Sequence, residues 1–130
     1  MRVDLSGQVA IVTGGAHGIG RAIVHALSDN GAQIAIIDVD IEASNQVAYE
    51  INRSGGVCLP LEGDVSDINQ MNSAVNQTMV HLKRITILIN NAGINTTSSR
   101  VPIHEYSLGD WNRIVQVDMT GVFTTSRAVI

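Results

Sequence analysis

Cysteine is nearly absent from this sequence, in which Cys58 is the only one. A single cysteine cannot form an internal disulfide bond, and no Cys/His cluster near it has the spacing of a zinc site. His25, His81 and His104 also lack metal-ligand spacing, so surface or helix-capping roles are expected for them. The sequence therefore predicts no metal site and a cytoplasmic location, where thiols stay reduced.

Runs of basic residues and long apolar runs are lacking as well. The formal net charge is −4 and no basic run occurs, which argues against nucleic acid and anionic membrane surfaces as partners. No apolar stretch approaches membrane-spanning length, and residues 1–6 are too few and too polar for a signal peptide. What is present is 130 residues with 45% hydrophobic side chains, enough for one globular domain with a sizeable core.

Glycine clusters where the first apolar run ends. Residues 9–12 suit a strand buried on both faces, and helical spacing begins at Ile19. A strand, a glycine turn and a helix together aim free backbone N–H groups at a phosphate. A plain tight turn is the alternative, but the acid at Asp38, after the next apolar run, favours a nucleotide site. The residues concerned are Gly14, Gly15, Ala16, His17, Gly18, Ile19 and Gly20.

Apolar runs and helical patterns alternate along the rest of the chain. Runs at 34–37, 57–61 and 85–89 predict further strands, and segments 19–30, 41–53, 67–82 and one from 108 predict helices. The predicted N-caps are Asp40, Ser66 and Ser107. This alternation predicts an α/β fold with a parallel sheet, right-handed crossovers and helices on both faces. The run at 85–89 is apolar enough to be buried on both faces.

The residues just after the strands carry the expected chemistry, because ligands of such sheets bind beyond the carboxyl ends of the strands. Asp38 can accept hydrogen bonds from both hydroxyls of an adenosine ribose and would repel a 2′-phosphate, which favours NAD over NADP. The alternative is a solvated strand-end aspartate or a helix cap, although Asp40 is the better cap. A cation at His17 could meet a 2′-phosphate, but a neutral histidine opposite a fixed aspartate is not expected to reverse the preference.

Asp64 and Val65 come directly after the third strand. Asp64 is a candidate to bind the adenine amine, with Val65 packed beside the ring. A turn leading to Ser66 as a helix cap is the other interpretation, and both can hold. In the last helix an apolar face indicates packing on the sheet or on a neighbouring subunit, with the core as the favoured interpretation. The members of that face are Trp111, Ile114, Val115, Met119 and Val122.

Three segments resemble the classical short-chain dehydrogenases/reductases. Residues 13–20 match that family's TGxxxGxG loop, residues 90–93 match its NNAG segment, and residues 111–123 look like its fourth helix. The resemblance implies a Rossmann-type doubly wound parallel sheet with strand order 3-2-1-4. It also implies hydride transfer between a nicotinamide and an alcohol or ketone, a small-molecule substrate, and a homo-oligomer.

The resemblance further implies a dinucleotide site. Its residues would be the glycine loop 14–20, Asp38, Asp64 and Val65, together with Asn91, Ala92 and Gly93 after the fourth strand. The cofactor expected is NAD, with NADP second. Residues 90–93 would in addition tie the fourth strand to the first.

Two departures from the family limit what is implied. Its fourth-helix catalytic asparagine falls on Asp118, which can substitute if the backbone carbonyl at a helix kink carries the role, but not if the side chain does. Its serine and Tyr-x-x-x-Lys pair lie after a fifth strand. Here Lys83 is the only lysine, and neither Tyr49 nor Tyr106 has a lysine four residues on.

The expectation is therefore an incomplete NAD-binding Rossmann domain over residues 1–130, truncated after the fourth strand and part of the fourth helix. Such a chain would bind the adenosine half of NAD weakly and show no turnover, and its fourth strand would form an exposed edge. The alternative is a non-catalytic nucleotide-binding or subunit-interaction module.

Overall fold

Four parallel strands form one sheet in the computed structural model, which describes residues 3–95 and 101–130. The strands are β1 (Val9–Thr13), β2 (Gln33–Asp38), β3 (Cys58–Glu62) and β4 (Ile87–Ile89), in the order β3-β2-β1-β4. The α/β class and the strand order are those predicted. The register pairs Val12 with Ile36 on one side and with Ile89 on the other, so the carboxyl ends of the strands meet at one edge.

Helices cover both faces of the sheet, as the alternation predicts. They are α1 (Gly18–Asp29), α2 (Ile41–Arg53), α3 (Ile68–Leu82), α4 (Leu108–Val115) and α5 (Gly121–Val129), with a short 3-10 turn at Ile103–Glu105. Alternate residues of a strand point to opposite faces. Val12 therefore packs with Val24 of α1 and Val47 of α2, whereas Ile11 packs with Met71 of α3. Within 3–95 and 101–130, no helix is long and apolar enough to cross a membrane.

The fourth strand is shorter and more exposed than the sequence predicts. It begins at Ile87 rather than Ile85, because the Thr86 hydroxyl takes the place of a backbone partner by accepting the Val9 N–H at 3.0 Å. All three of its residues are half-buried, so the prediction of burial on both faces is wrong. Among the described residues β4 pairs only with β1, and its other edge carries no strand.

The helix starts agree with the sequence prediction, with one correction. Asp40 caps α2 by accepting the Ala43 N–H at 3.0 Å, and Ser107 caps α4 by accepting the Asp110 N–H at 3.0 Å. The prediction of Ser66 as the cap of α3 is wrong. Asp67 takes that place and accepts N–H groups of the first turn, while the Ser66 hydroxyl donates to Asp64.

The last helical segment is interrupted rather than continuous. A π turn at Gln116–Thr120 separates α4 from α5, and Val117 in that turn is buried. The core interpretation of the predicted apolar face is wrong for Trp111, Met119 and Val122, which are exposed. A π turn adds a residue to the helix and rotates the segment after it, so residues at α-helical spacing on its two sides do not share a face. The predicted polar loop before Tyr106 lies partly outside the described residues, at 96–100.

Cys58 at the start of β3 is buried, and this has a pH consequence. Burial raises the pKa of the Cys58 thiol from its ordinary 9.0 to about 12. In the unfolded chain the thiol ionises above about pH 9, while in the folded chain it stays protonated, so the free energy of unfolding falls as pH rises from about 9 to 12. We expect iodoacetamide to modify Cys58 slowly in the native chain and rapidly in urea. Equal rates in the two states would contradict this account.

Candidate functional site

An open cavity of about 380 Å³ lies at the carboxyl edge of the sheet. It brings together residues from the glycine loop, from the ends of β2 and β3, and from the segment after β4. Of the predicted site residues, those lining it are Gly14, His17, Gly18, Ile19, Gly20, Asp38, Asp64, Val65, Asn91, Ala92 and Gly93. Gly15, Ala16 and Asp118 do not line it, and binding of a cofactor by any of these residues stays a prediction.

The glycine loop places the start of α1 against the end of β1. Gly14 has a φ of +65°, a conformation that favours glycine, and its N–H donates to the Ile37 carbonyl at 2.9 Å. A Cβ on Gly20 would overlap the Gly14 carbonyl oxygen, so only glycine lets the helix lie this close. His17 is the N-cap of α1, but its side chain makes no capping hydrogen bond. The first turn of α1 therefore presents N–H groups that its N-cap side chain does not satisfy.

Asp38 is fixed at the end of β2 by two backbone groups. Its Oδ2 accepts the Ala16 N–H at 3.1 Å, and its Oδ1 accepts the Asp40 N–H at 3.0 Å. The side chain is otherwise largely buried, with 9% of the residue exposed. Each oxygen keeps an unused lone pair in this arrangement, so the carboxylate can accept further hydrogen bonds from a ligand. Ala16 thus shapes the site through its backbone rather than by lining the cavity.

Asp64 is held by groups on both of its oxygens. Its Oδ1 accepts from the Ser66 N–H at 2.9 Å and from the Ser66 hydroxyl at 2.6 Å, while its Oδ2 lies 3.5 Å from Arg113 Nη2 of α4. Burial raises the pKa of Asp64, but the Ser66 hydrogen bonds and the Arg113 guanidinium outweigh it, so the net pKa is lowered. The carboxylate is therefore charged where it meets the cavity. The predicted turn is present, but Asp67 rather than Ser66 caps the helix, and the adenine role of Asp64 and Val65 stays a prediction.

Thr13 and Asn91 join β1 to the segment after β4. The Thr13 hydroxyl accepts the N–H groups of Asn91 and Ala92, each at 3.1 Å. The Asn91 side-chain amide donates to the carbonyls of Thr13 at 3.1 Å and Gly14 at 3.0 Å. The predicted tie between the fourth and first strands is confirmed, and it extends to the first residue of the glycine loop, Gly14.

Asp118 lies in the π turn next to this tie. Its Oδ1 accepts the Ile94 N–H at 2.8 Å, and a Cβ added to Gly93 would lie 3.4 Å from the same oxygen. The helix is irregular at this residue, which is the kink that a backbone role would require. The side chain is engaged as well, so it positions Ile94 rather than lining the cavity.

Arg113 and Val117 line the cavity although the sequence interpretation did not select them. They lie four residues apart, a spacing that places them on the same side of a helix. That spacing was the available signal, but it does not show which side of the helix meets the cavity.

Of the other histidines, His25 lies 3.3 Å from Glu50 and His81 Nδ1 lies 2.8 Å from the Gln77 carbonyl. In residues 3–95 and 101–130 no three potential metal ligands cluster.

Comparison with known families agrees with the motifs. A protein-family model described as short chain dehydrogenase matches residues 8–130 of the sequence. The chain belongs to the short-chain dehydrogenase family. This confirms the resemblance carried by the glycine loop and the NNAG segment. Short-chain dehydrogenases are oxidoreductases that use nicotinamide cofactors and act on small molecules.

Individual short-chain dehydrogenases match nearly the whole chain. It is 34% identical over 125 residues to D-threitol dehydrogenase of Mycolicibacterium smegmatis, covering 96% of this chain and 47% of that protein. It is 36% identical over 123 residues to cyclopentanol dehydrogenase of Comamonas testosteroni, covering 95% and 48%. The chain thus spans about half the length of the curated relatives it matches.

Solved structures of short-chain dehydrogenases superpose on the same region. One from Mycobacterium marinum gives a TM-score of 0.89 at 35% identity, covering 97% of this chain and 48% of that one. A short-chain dehydrogenase/reductase named as glucose/ribitol dehydrogenase, from Brucella melitensis, gives a TM-score of 0.90 at 26% identity, covering 99% of this chain and 53% of that one. The Rossmann-type arrangement of the described residues is therefore that of this family.

Proposed function

We propose that this chain is the NAD-binding part of a short-chain dehydrogenase that transfers a hydride between NAD and an alcohol or ketone carbon. The observation that carries the proposal is the Asp38 carboxylate, fixed between the glycine loop and the β2–α2 turn and lining the cavity. A carboxylate at the end of the second strand suits the two hydroxyls of a ribose and repels a 2′-phosphate. We place the NAD-binding domain over residues 1–130 and the protein in the cytoplasm.

The residues around the cavity fit a dinucleotide in extended form. The N-terminus of α1 and the glycine loop suit a pyrophosphate, because their N–H groups and the helix dipole favour negative charge. Asp38 would hold the adenosine ribose, and Asp64 would accept the adenine amine through the oxygen that faces Arg113. Val65 is buried against α5 and offers an apolar side to the ring. Asn91, Ala92 and Gly93 would border the nicotinamide half. NAD, when bound there, supplies the hydride acceptor.

Asp118 is proposed to position the cofactor segment and not to act as an acid or base. It holds the Ile94 amide through one oxygen, and the π turn leaves helix carbonyls out of regular pairing. Lys83 cannot serve as the lysine of a Tyr-x-x-x-Lys pair here. It lies between α3 and β4, at the amino edge of the sheet, and its Nζ donates to the Val80 carbonyl at 2.7 Å. We therefore expect the 130-residue chain to bind NAD without turnover.

The exposed apolar side chains of α4 and α5 are proposed to form a subunit contact in a homo-oligomer. Trp111, Met119 and Phe123 are 51%, 68% and 62% exposed. Clusters of exposed large apolar side chains commonly mark protein contacts.

A second candidate function is a non-catalytic nucleotide-binding or subunit-interaction module. The exposed side chains of Trp111, Met119 and Phe123 suit the contact surface of such a module. Sequencing the DNA downstream of codon 130 separates the two. A continuing frame with a Tyr-x-x-x-Lys segment supports the dehydrogenase, and a stop codon supports the module.

Replacing Asp38 with asparagine tests the cofactor proposal. The amide keeps the shape and one acceptor but loses the charge that repels a 2′-phosphate, so we expect the preference for NAD over NADP to fall by at least about tenfold. Dissociation constants of both dinucleotides, measured by calorimetry, check this. Asp29→Asn removes the same charge at the end of α1, remote from the cavity, and should leave the preference unchanged. Equal preference in Asp38→Asn and the unaltered protein would count against the ribose role.

A further inference from the structure

Two carboxylates link the glycine loop to the β2–α2 turn in neighbouring positions. Asp38 accepts the Ala16 N–H, and Asp40 Oδ2 lies 2.8 Å from Nε2 of the next loop residue, His17. The first contact belongs to the ribose site described above. The second contact has no part in that site, although His17 itself lines the cavity.

The two oxygens of Asp40 have separate partners. Oδ1 accepts the Ala43 N–H at 3.0 Å and caps α2, which leaves Oδ2 for the histidine. The Ala43 hydrogen bond, and after it the His17 hydrogen bond, lower the pKa of Asp40. The carboxylate is therefore negative throughout the pH range in which an imidazole gains its charge.

We propose that Asp40 is a specificity-determining residue, which excludes a 2′-phosphorylated dinucleotide by holding the only side chain of the glycine loop that could carry a positive charge toward it. This rests on the proposed function, because it takes the end of β2 to be the ribose site. A 2′-phosphate at that site would need a cation as partner. Turning His17 toward such a phosphate would break its contact with Asp40 and leave two carboxylates beside the new charge.

The other charged groups near this corner do not replace His17. Asp38 is the second carboxylate in contact with the glycine loop, and its negative charge adds to the repulsion of an anion. Arg21 and His25 of α1 are both engaged with Glu50 of α2, Arg21 through two contacts of 2.9 and 2.8 Å. Of these three basic side chains, His17 is the one that contacts Asp40 rather than Glu50.

Asp40→Asn removes the negative charge but keeps the cap of α2, because asparagine is as good an N-cap as aspartate. We expect the variant to bind NADP about tenfold more tightly than the unaltered protein at about pH 5.5, where a free imidazole is largely charged. At about pH 8 the gain should largely disappear, because the imidazole is neutral there. NAD affinity should change little at either pH. Calorimetric titration with NAD and NADP measures all four values.

Two further variants separate this role from a general charge effect. Glu42→Gln removes a negative charge from an exposed position in the same turn of α2 and should give less of the NADP gain than Asp40→Asn. In the double variant His17→Gln/Asp40→Asn the pH-dependent gain should vanish. An equal gain in Glu42→Gln, a gain that persists without His17, or no gain in Asp40→Asn would overturn the inference while NAD binding stands. If the unaltered protein binds neither dinucleotide, the proposed function fails and this inference fails with it.

Discussion

Replacing Gly20 with alanine is expected to lower the free energy of unfolding by about 3 kcal/mol and to weaken NAD binding at least about tenfold. The added Cβ would overlap the Gly14 carbonyl oxygen and crowd the Asn91 side-chain amide. Backbone atoms cannot move aside as a flexible side chain can, so α1 has to shift away from β1. That shift moves the first turn of the helix, which is the proposed pyrophosphate site. Urea unfolding and calorimetric titration measure the two effects.

Gly109→Ala is the matched control for that variant. It makes the same change in the first turn of α4, where a new Cβ would lie 3.8 Å from the Ser107 hydroxyl, an ordinary van der Waals contact. Alanine is the better helix former, so this variant should be more stable by about 0.5–1 kcal/mol. Similar stability changes in the two variants would contradict the close approach of α1 to the glycine loop.

Thr13→Val is expected to lower the free energy of unfolding by about 2–4 kcal/mol. The substitution keeps the shape of a buried side chain but removes the acceptor of two N–H groups, those of Asn91 and Ala92. Both amides would be left without that partner at a half-buried position, at a cost of about 1–3 kcal/mol each, partly relieved by local adjustment and water. The tie between β4 and β1 would loosen, and NAD binding should weaken with it.

Thr78→Val provides the comparison for Thr13→Val. Thr78 is equally buried, but its hydroxyl donates to the Ala74 carbonyl within α3, which the helix already bonds. Its loss leaves no N–H group unsatisfied, so the free energy of unfolding should change by less than about 1 kcal/mol. Thr13→Ser keeps the hydroxyl, so it should retain most of the free energy of unfolding that Thr13→Val loses. Equal losses in Thr13→Val and Thr78→Val would contradict the assigned role of Thr13.

Strand order and the place of the cavity could be predicted because they obey general rules. A chain that alternates strand and helix gives a parallel sheet, and parallel strands bring the residues after them to one edge. Asp38, Asp64 and Asn91 are far apart in the sequence, yet that rule alone places them together. The family resemblance added the order of the strands and the roles of the residues.

The features that the sequence did not predict depend on contacts between segments. Ile85 and Ile87 are identical residues, and the Thr86 hydroxyl between them, which accepts the Val9 N–H, distinguishes their positions relative to β1. Ser66 and Asp67 are both good N-caps. The Ser66 hydroxyl donates to Asp64 instead, and Asp67 caps α3. The exposure of Trp111 and Met119 depends on which side of the last helical segment faces the sheet, and the π turn within that segment leaves no periodicity in the sequence. The His17–Asp40 contact likewise joins two turns whose distance the sequence does not give.

The most direct test of the proposed dinucleotide site is an NMR titration of the isotope-labelled protein with NAD. We expect backbone amide signals of the glycine loop 14–20, of 38–40, of 63–65 and of 91–94 to shift together, with one dissociation constant. The groove formed by Val3, Asp29 and Gly31, remote from the carboxyl edge, should stay unchanged. No shifts at a saturating concentration of NAD, or shifts confined to that remote groove, would contradict the claim that the cavity is a dinucleotide site.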